Sequence, residues 1–402
     1  MIGEDRLLLL TLGICGFASS LAARSTDPMV TAIAADMVAP VATVALLSTS
    51  YALPYGFGQP FLGPLGDSLG KARVLKACLI IFTIALSVAS VAPSMATLFG
   101  ARAVAGLAAG GIIPLGLAMI GDRFPFETRQ VAIGRFLSAS VMGQLLGVTS
   151  AGVLADTVGW RTAMWATAAV AMVAMLLSIA RLADGPALQT KALDYVAARD
   201  RYALVFKNPR SFICFAGVFC EGVAVFGVMP FVGEIVERTM DGGPAEAGFI
   251  IAGLAIGGII FSFTVQHILR AFGPFGMMRI GGVLAGTGLL LFSIAQSWIE
   301  ASVCFLALGI GFFMVHNSLQ NRATELAPTA RGSAVSLHAF FFFLGQGIAP
   351  ILFGMGLHRL GQTWTIAVCA GLITLTGLAC AHLLLREDDR SDRRAAGLPV
   401  SR

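Results

Sequence analysis

The stretch Gly63-Pro-Leu-Gly-Asp-Ser-Leu-Gly-Lys-Ala-Arg-Val-Leu75 is a short polar hinge between two long apolar runs. Charged residues make up only 12% of this chain, yet Asp67, Lys71 and Arg73 stand close together here. The glycines of the stretch allow the backbone to turn tightly and let helices approach closely. The stretch therefore predicts a sharp reversal between two apolar helices.

The composition of the whole chain indicates an integral membrane protein. Of its 402 residues, 57% are hydrophobic and 12% are charged, and the mean hydropathy is +0.84. Soluble domains carry about 25% charged residues. A helix needs about 20 apolar residues to cross a hydrocarbon layer of about 30 Å. The long continuous runs favour helices, because the strands of a membrane barrel alternate apolar and polar residues.

We expect an all-α integral membrane protein whose twelve transmembrane helices form two pseudo-symmetric six-helix bundles. The predicted spans lie at about residues 7–31, 41–62, 74–92, 96–119, 133–156, 161–182, 210–236, 246–269, 277–297, 301–322, 333–357 and 363–385. The predicted units are an N-terminal bundle (1–182), a linker (183–209), a C-terminal bundle (210–386) and a tail (387–402). Helical spacing of apolar residues in the linker favours an amphipathic helix on the cytoplasmic surface, and a flexible linker is the alternative.

The distribution of positive charge predicts the orientation in the membrane. Most of the 27 Lys and Arg residues fall in loops on the side of the N-terminus, while the opposite side holds Arg161, Arg238 and Arg359. Since cytoplasmic loops are enriched in Lys and Arg, we expect both termini in the cytoplasm and a multi-pass protein of a bacterial inner membrane. The seven cysteines lie in apolar runs without metal-ligand spacing, so no metal or cofactor is expected.

The two halves of the chain repeat one another. At an offset of 202 residues, Pro28 matches Pro230 and Gly143-Gln144 matches Gly345-Gln346. At an offset of 203 residues, Gly106 matches Gly309. Such internal duplication is expected of a transporter whose two halves rock about a central site.

Several motifs together resemble the major facilitator superfamily. The opening stretch is similar to the loop between helices 2 and 3 of that family, with the pattern G-x-L-A-D-R-x-G-R-K-x-x-L, although Ser68 replaces an Arg. Arg102-x-x-x-Gly106 resembles the helix 4 motif, and Asp122-Arg-Phe-Pro-x-Glu127-x-Arg129 resembles the loop between helices 4 and 5. In span 5, however, Gln144 and Val148 depart from the G-P-x-x-G-G element of the family's exporters.

The resemblance implies a gating motif on the cytoplasmic side. The carboxylate of Asp67 would meet the start of helix 11, at Gly332-Ser333, and lock the gate while the outer side is open. The residues assigned to this motif are Gly63, Asp67, Gly70, Lys71, Arg73, Asp122, Glu127 and Arg129. Lys71 and Arg73 are expected to replace part of the charge lost at Ser68.

Charged side chains within spans are candidates for function, because each costs at least about 2.5 kcal/mol to insert. Arg24 and Asp27 share one face of span 1, and Glu221 lies alone among apolar residues of span 7. The resemblance implies that Arg102 faces a central cavity and takes part in proton coupling. We assign proton coupling to Asp27, Glu221 and Arg102. The alternatives are a structural ion pair for Arg24 and Asp27, an Arg102 that reaches the membrane interface, and a protonated Glu221 bonded to a neighbouring helix.

Polar residues at helical spacing are candidates for the lining of a substrate pore. We assign substrate binding to Arg24, Tyr51, Tyr55, Gln59, Gln144, His316, Asn317, Gln320 and Gln346. The alternative for each uncharged residue is a hydrogen bond that only holds helices together. His338 and the run Phe340–Phe343 are expected to provide packing and lipid-facing surface.

The favoured interpretation is a proton-coupled secondary transporter that moves a small organic solute by alternating access, with efflux by antiport favoured. Proton symport for uptake of a small organic anion is the alternative. No motif of a protease, phosphate-binding loop, hydrolase or dinucleotide enzyme occurs in the expected context. We expect a monomer that interacts with its solute, protons and the lipid bilayer, and not with nucleic acid.

Overall fold

A computed structural model describes residues 3–183 and 195–395 of the protein. Within these ranges, it describes all side chains except those at 3, 63, 64, 67, 126, 127, 195–198 and 391–395. This described part is almost entirely helical and contains no strand. The expectation of an all-α membrane protein is confirmed.

The first half of the chain contains six spans. Its helices are α1 (Gly3–Arg24), α2 (Val30–Asp36), α3 (Val41–Leu69), α4 (Lys71–Ser90), α5 (Met95–Arg123), α6 (Phe126–Thr157) and α7 (Trp160–Arg181). A 3₁₀ turn at Asp27–Met29 joins α1 to α2, and these elements together form the first span. Pro28 lies in this turn because proline has no N–H to donate to a continuing helix.

The second half repeats this plan. Its helices are α8 (Tyr195–Phe206), α9 (Arg210–Phe226), α10 (Val232–Thr239), α11 (Pro244–Phe292), α12 (Trp298–Glu325), α13 (Arg331–Leu360) and α14 (Gln362–Ala395). A 3₁₀ turn at Met229–Phe231 breaks span 7, so Pro230 occupies the same position as Pro28 in span 1. The helix α8 lies in the predicted linker, whereas residues 184–194 and 396–402 fall outside the described part of the chain.

Helix α11 comprises two spans. It has 49 residues and would measure about 74 Å if straight, far more than the hydrocarbon layer of about 30 Å. Gly273, with φ 66° and ψ 175°, breaks the helical path. Ten described segments are long and apolar enough to span a membrane. With α11 counted twice and the 29-residue α3 added, the described helices give the twelve spans that were predicted.

Ion pairs tie the helix ends together at each face of the bundle. Arg123 at the end of α5 lies 2.9 Å from Asp5 near the start of α1. Arg322 at the end of α12 lies 2.8 Å from Asp388 of α14. We call the face that carries these residues the termini face. At the opposite, far face, Arg161 of α7 pairs with Asp36 of α2.

The repeat is expressed as matching close contacts between helices. Gly143 of α6 packs against the main-chain carbonyl of Phe17, and Gly345 of α13 packs in the same way against Phe219. Gly106 of α5 packs against the carbonyl of Tyr51. Its counterpart Gly309 of α12 packs in the same way against the carbonyl of Leu254 on α11. At each of these positions a methyl group would overlap a carbonyl oxygen. Small residues allow such close approach of helices in membranes.

We expect the substitution Gly106→Ala to lower the thermal stability of the detergent-solubilised protein by several degrees. The new methyl group would overlap the Tyr51 carbonyl, and overpacking of this kind costs about 1–3 kcal/mol. Gly100→Ala on the same helix is the matched control, since its methyl group would meet no atom within 4 Å. A midpoint for Gly106→Ala equal to that of Gly100→Ala would contradict the assigned packing of α3 against α5.

The apolar core shows where the two halves of the protein pack together. Towards the far face, one buried cluster contains residues of both halves, among them Met29, Phe231 and Ile250. Gly152 of α6 and Gly248 of α11 lie against each other there. Towards the termini face, the buried residues of each cluster belong to one half or the other, although Phe343 of α13 packs against the cluster of the first half. Among the described residues, the most extensive shared core between the two halves therefore lies towards the far face.

Candidate functional site

The break in span 1 places two charged residues deep in the bundle. Arg24 is the last residue of α1 and Asp27 is the first residue of the 3₁₀ turn. Asp27 is fully buried, and Arg24 is only 8% exposed. A guanidinium nitrogen of Arg24 lies 3.5 Å from Asp27 Oδ2. The hydroxyl of Ser48 on α3 donates to Asp27 Oδ1, so both carboxylate oxygens have a partner.

Arg24 also connects the two halves of the protein. Its second terminal nitrogen donates to Gln346 Oε1 on α13. Its guanidinium lies over the ring of Phe226 on α9, with 4.2 Å between the carbon Cζ and the ring centroid. The side chain thus contacts span 1, span 7 and span 11 at once. A relative movement of the halves must break or rearrange these contacts.

Arg102 supports this region from α5. It is fully buried and donates to the carbonyl oxygens of Ala22 at 3.1 Å and Ala23 at 3.4 Å. The last carbonyls of a helix lack partners within the helix, so the guanidinium satisfies the end of α1 where the chain breaks. Arg102 also lies over the ring of Tyr51, with 4.2 Å from Cζ to the centroid. The alternative that this side chain reaches the membrane interface is wrong.

A second polar cluster lies in the C-terminal half. Glu221 on α9 is fully buried, and its Oε1 contacts His316 Nδ1 on α12. The ring of His338 on α13 lies with its centroid 5.3 Å from that of His316. Among the described residues, this carboxylate has no Lys or Arg partner, and its Oε2 is buried without a hydrogen bond. The carboxylate of this cluster therefore has a histidine as its polar partner, in contrast to Asp27 with its arginine.

The polar residues predicted to share a face of α3, Tyr51, Tyr55 and Gln59, make different kinds of contact. Tyr51 packs on Arg102 as described, and the ring of Tyr55 lies 4.0 Å, centroid to centroid, from that of Phe343 on α13. The side chain of Gln59 donates to the carbonyl of Gly110 at 3.1 Å. Gln59 thus makes the bond between helices that was the alternative to pore lining.

The other predicted substrate-binding residues are not all brought together. His316 belongs to the cluster around Glu221, and Gln346 belongs to the cluster around Arg24. Gln144 is half-buried on α6. Asn317 and Gln320 are exposed. Asn317 lines a separate cleft of about 50 Å³ beside α11, within the C-terminal half. The structure does not place Asn317 in a central pore together with Arg24.

Sequence reasoning missed several residues of the site. Ser48 lies seven residues before Tyr55 on the same face of α3, so its spacing was a usable signal. Phe226, Phe342 and His338 gave no such signal. Phe342, which was assigned with its run to packing and lipid-facing surface, packs on His316 with 4.7 Å between ring centroids. The rings of Phe226 and Phe342 contact each other and form an apolar wall between the two polar clusters.

A cavity of about 550 Å³ opens on the termini side of this region. Its wall is formed by α1 and α6, and its lining residues are Arg6, Leu9, Leu10, Gly13, Ile14, Phe17, Arg135 and Ala139. Leu10, Phe17 and Arg24 follow one another at intervals of seven residues and share a face of α1. The groove therefore runs along the face of α1 that ends at Arg24.

The predicted gating motif lies at the termini face and is partly described. Gly70 has φ 97°, which favours glycine, and it ends α3 just before α4 begins. Lys71 Nζ lies 2.6 Å from Asp122 Oδ2. Arg129 donates to the carbonyl of Phe124 at 3.1 Å, and Arg73 is exposed. The side chains of Gly63, Asp67 and Glu127 lie outside the described residues.

The described side chains include no group of three or more His, Cys, Asp and Glu residues that could hold a metal ion. The arrangement instead offers buried charges where the two halves meet, with Arg24 in contact with both.

The chain is similar to known membrane transporters. The model of the Major Facilitator Superfamily matches residues 12–330 and 214–400. The "Uncharacterized MFS-type transporter YwfA" of Bacillus subtilis is 29% identical over 399 residues, covering 96% of this chain and 94% of the relative. The "Quinolone resistance protein NorA" of Staphylococcus aureus is 24% identical, covering 77% of this chain and 79% of the relative.

Solved structures share the fold. The D-xylose-proton symporter superimposes with a TM-score of 0.78 at 16% identity, covering 94% of this chain and 97% of that one. A bacterial homologue of the human lysosomal transporter Spinster, described as inward-facing and unoccupied, gives a TM-score of 0.74 at 16% identity and covers 96% of this chain and 95% of that one.

Proposed function

Since this chain belongs to the major facilitator superfamily of membrane transporters, we propose that it moves a small organic solute by alternating access and couples this movement to protons. The observation that carries the proposal is Arg24, a buried cation that contacts Asp27 in its own half and Gln346 in the other. Such a link is stable only while the halves keep one arrangement. A solute that competes for Arg24 or Asp27 would release it.

Proton coupling is assigned to Asp27 and Glu221, with Arg102 in support. Each carboxylate is fully buried, and a buried carboxylate is a group whose protonation responds to its partners. Asp27 faces Arg24, whereas Glu221 faces only a histidine. Arg102 contributes by holding the end of α1, since its hydrogen bonds go to main-chain carbonyls.

We favour efflux in exchange for protons. Support comes from the relative named as a quinolone resistance protein, and from the apolar groove that opens on the termini face, which the charge distribution assigns to the cytoplasm. Symport of a small organic anion into the cell is the alternative, and the arginines Arg24 and Arg102 favour it. We propose further that the protein works as a monomer in a bacterial inner membrane.

The gate is proposed to lie at the turn between α3 and α4. The ion pair of Lys71 with Asp122 ties α4 to α5 within the N-terminal half. Asp67 is the residue proposed to meet the start of α13 when the termini face closes. The start of α13 at Gly332 is exposed, which is consistent with this role.

The proposal is tested by finding the solute and the sign of its coupling. A thermal-stability screen of the purified protein in detergent, with quinolones, other organic cations, sugars and organic acids, identifies solutes that bind, because a ligand raises the stability of the state it binds. The solute is then supplied to proteoliposomes with an imposed pH gradient. External acidification should drive extrusion of the solute for antiport and accumulation for symport. Flux that ignores the gradient would contradict proton coupling.

A further inference from the structure

His338 is a buried imidazole without a hydrogen bond. Its side chain is only 2% exposed, and neither Nδ1 nor Nε2 has a partner among the described residues. Buried polar groups are nearly always hydrogen-bonded, and each exception needs an explanation. A residue whose only requirement was packing would be better served by a ring without nitrogens. The imidazole of His338 therefore points to a partner in another state of the protein.

His316 is the polar side chain placed to be that partner. Its ring centroid lies 5.3 Å from that of His338, and the two rings are tilted by 54°. Its Nδ1 contacts Glu221, which leaves Nε2 outside that contact. The rings of Phe312 and Phe342 lie 5.3 Å and 4.7 Å from it, centroid to centroid. Between these apolar walls, the orientation of His316 depends on which polar group it contacts.

We propose that His338 is the second hydrogen-bond partner of His316, taken when Glu221 binds a proton. In the described state, the contact between His316 and the Glu221 carboxylate is strengthened by charge. A proton carried by a water molecule then leaves its water oxygen and forms an O–H bond on Glu221. The contact loses about half its strength with the negative charge. His316 turns and donates its N–H to an unpaired nitrogen of His338.

This exchange of partners would transmit proton binding between helices. Glu221, His316 and His338 lie on α9, α12 and α13 respectively. Gln346, the partner of Arg24, lies eight residues beyond His338 on α13. In this exchange, a hydrogen bond between α9 and α12 is replaced by one between α12 and α13. The new bond would tie α12 to the helix whose Gln346 contacts Arg24. His338 would thus be a positioning residue that links the two polar clusters.

The ionisable groups around this cluster are few. Two thiols, Cys220 on α9 and Cys380 on α14, lie near Glu221. The titratable side chain that interacts electrostatically with His338 is His316. The inference rests on the proposed proton site at Glu221, but its test requires no transport. A failure of proton coupling would appear in flux measurements, whereas a failure of this inference would appear in thermal stability.

The test is a double-mutant cycle measured by thermal unfolding of the full chain in detergent. His338→Phe keeps a buried ring and removes both nitrogens, and Glu221→Leu removes the first partner of His316. His338→Phe is made in the wild-type protein and in the Glu221→Leu variant. We expect the decrease in the unfolding midpoint to be larger in the Glu221→Leu variant, by about 2 °C or more. Equal losses in both backgrounds would overturn the proposal. If Glu221→Leu does not fold, Glu221→Gln takes its place with the same expected sign.

Two further variants separate a hydrogen bond from packing. His338→Gln retains an acceptor and a donor, and should recover more than half of the additional loss in the Glu221→Leu background. A glutamine that recovers nothing would also overturn the proposal. His358→Phe, at an exposed position of the same helix, is the matched control and should have the same effect in both backgrounds.

Discussion

Replacing Arg24 with alanine is expected to reduce transport of the screened solute by about 100-fold or more. The change removes the contact with Gln346 that joins the halves and leaves Asp27 without its cation. A 100-fold loss corresponds to about 2.8 kcal/mol, since about 1.4 kcal/mol is a tenfold change. Initial rates of solute flux in proteoliposomes, at matched amounts of folded protein, measure the effect.

The double variant Arg24→Ala/Asp27→Asn distinguishes function from structure. The asparagine side chain carries no charge, so the double variant should recover much of the thermal stability lost in the single variant. We expect its transport to remain absent, because neither the cation nor the titratable group is present. Recovery of transport would show that the pair is only structural. Arg238→Ala, which breaks the exposed pair with Glu234 on α10, should change the rate by less than about threefold.

Replacing Glu221 with glutamine is expected to remove the stimulation of transport by a pH gradient. Glutamine keeps the shape of the side chain, but it carries no charge and does not take up a proton. Exchange of labelled for unlabelled solute at equal pH should stay close to the wild-type rate, since binding and the movement of the halves are retained. Both assays use the same proteoliposomes, with and without the gradient.

Glu234→Gln is the control for this substitution. Glu234 lies on α10 in the same span, beyond the 3₁₀ turn, and pairs with Arg238. The variant should keep a normal response to the gradient. A Glu221→Gln protein that still follows the gradient would contradict the assignment of Glu221 and leave Asp27 as the proton site. Loss of both gradient response and exchange would indicate a structural role instead.

The sequence alone predicted the broad architecture and several of the buried charges. A span must satisfy its backbone internally and exclude charge, so twelve apolar runs and the rare exceptions within them are visible in the order of residues. Arg24, Asp27, Arg102 and Glu221 were found in this way. The repeat also predicted Pro28 and Pro230 as equivalent, and both lie in 3₁₀ turns that break a span. Each of these signals is local.

Only the tertiary structure decided which residues meet. Gln346 contacts Arg24 from 322 positions away, and His316 contacts Glu221 from 95 positions away. Helical periodicity gives the face of a helix but not the neighbour that this face meets. For this reason Gln59 and Asn317 were grouped with a central pore, while His338 and Phe342 were assigned to packing. The neighbours are set by the close crossing of helices at glycines and by the way the two halves pack, and these depend on the whole bundle at once.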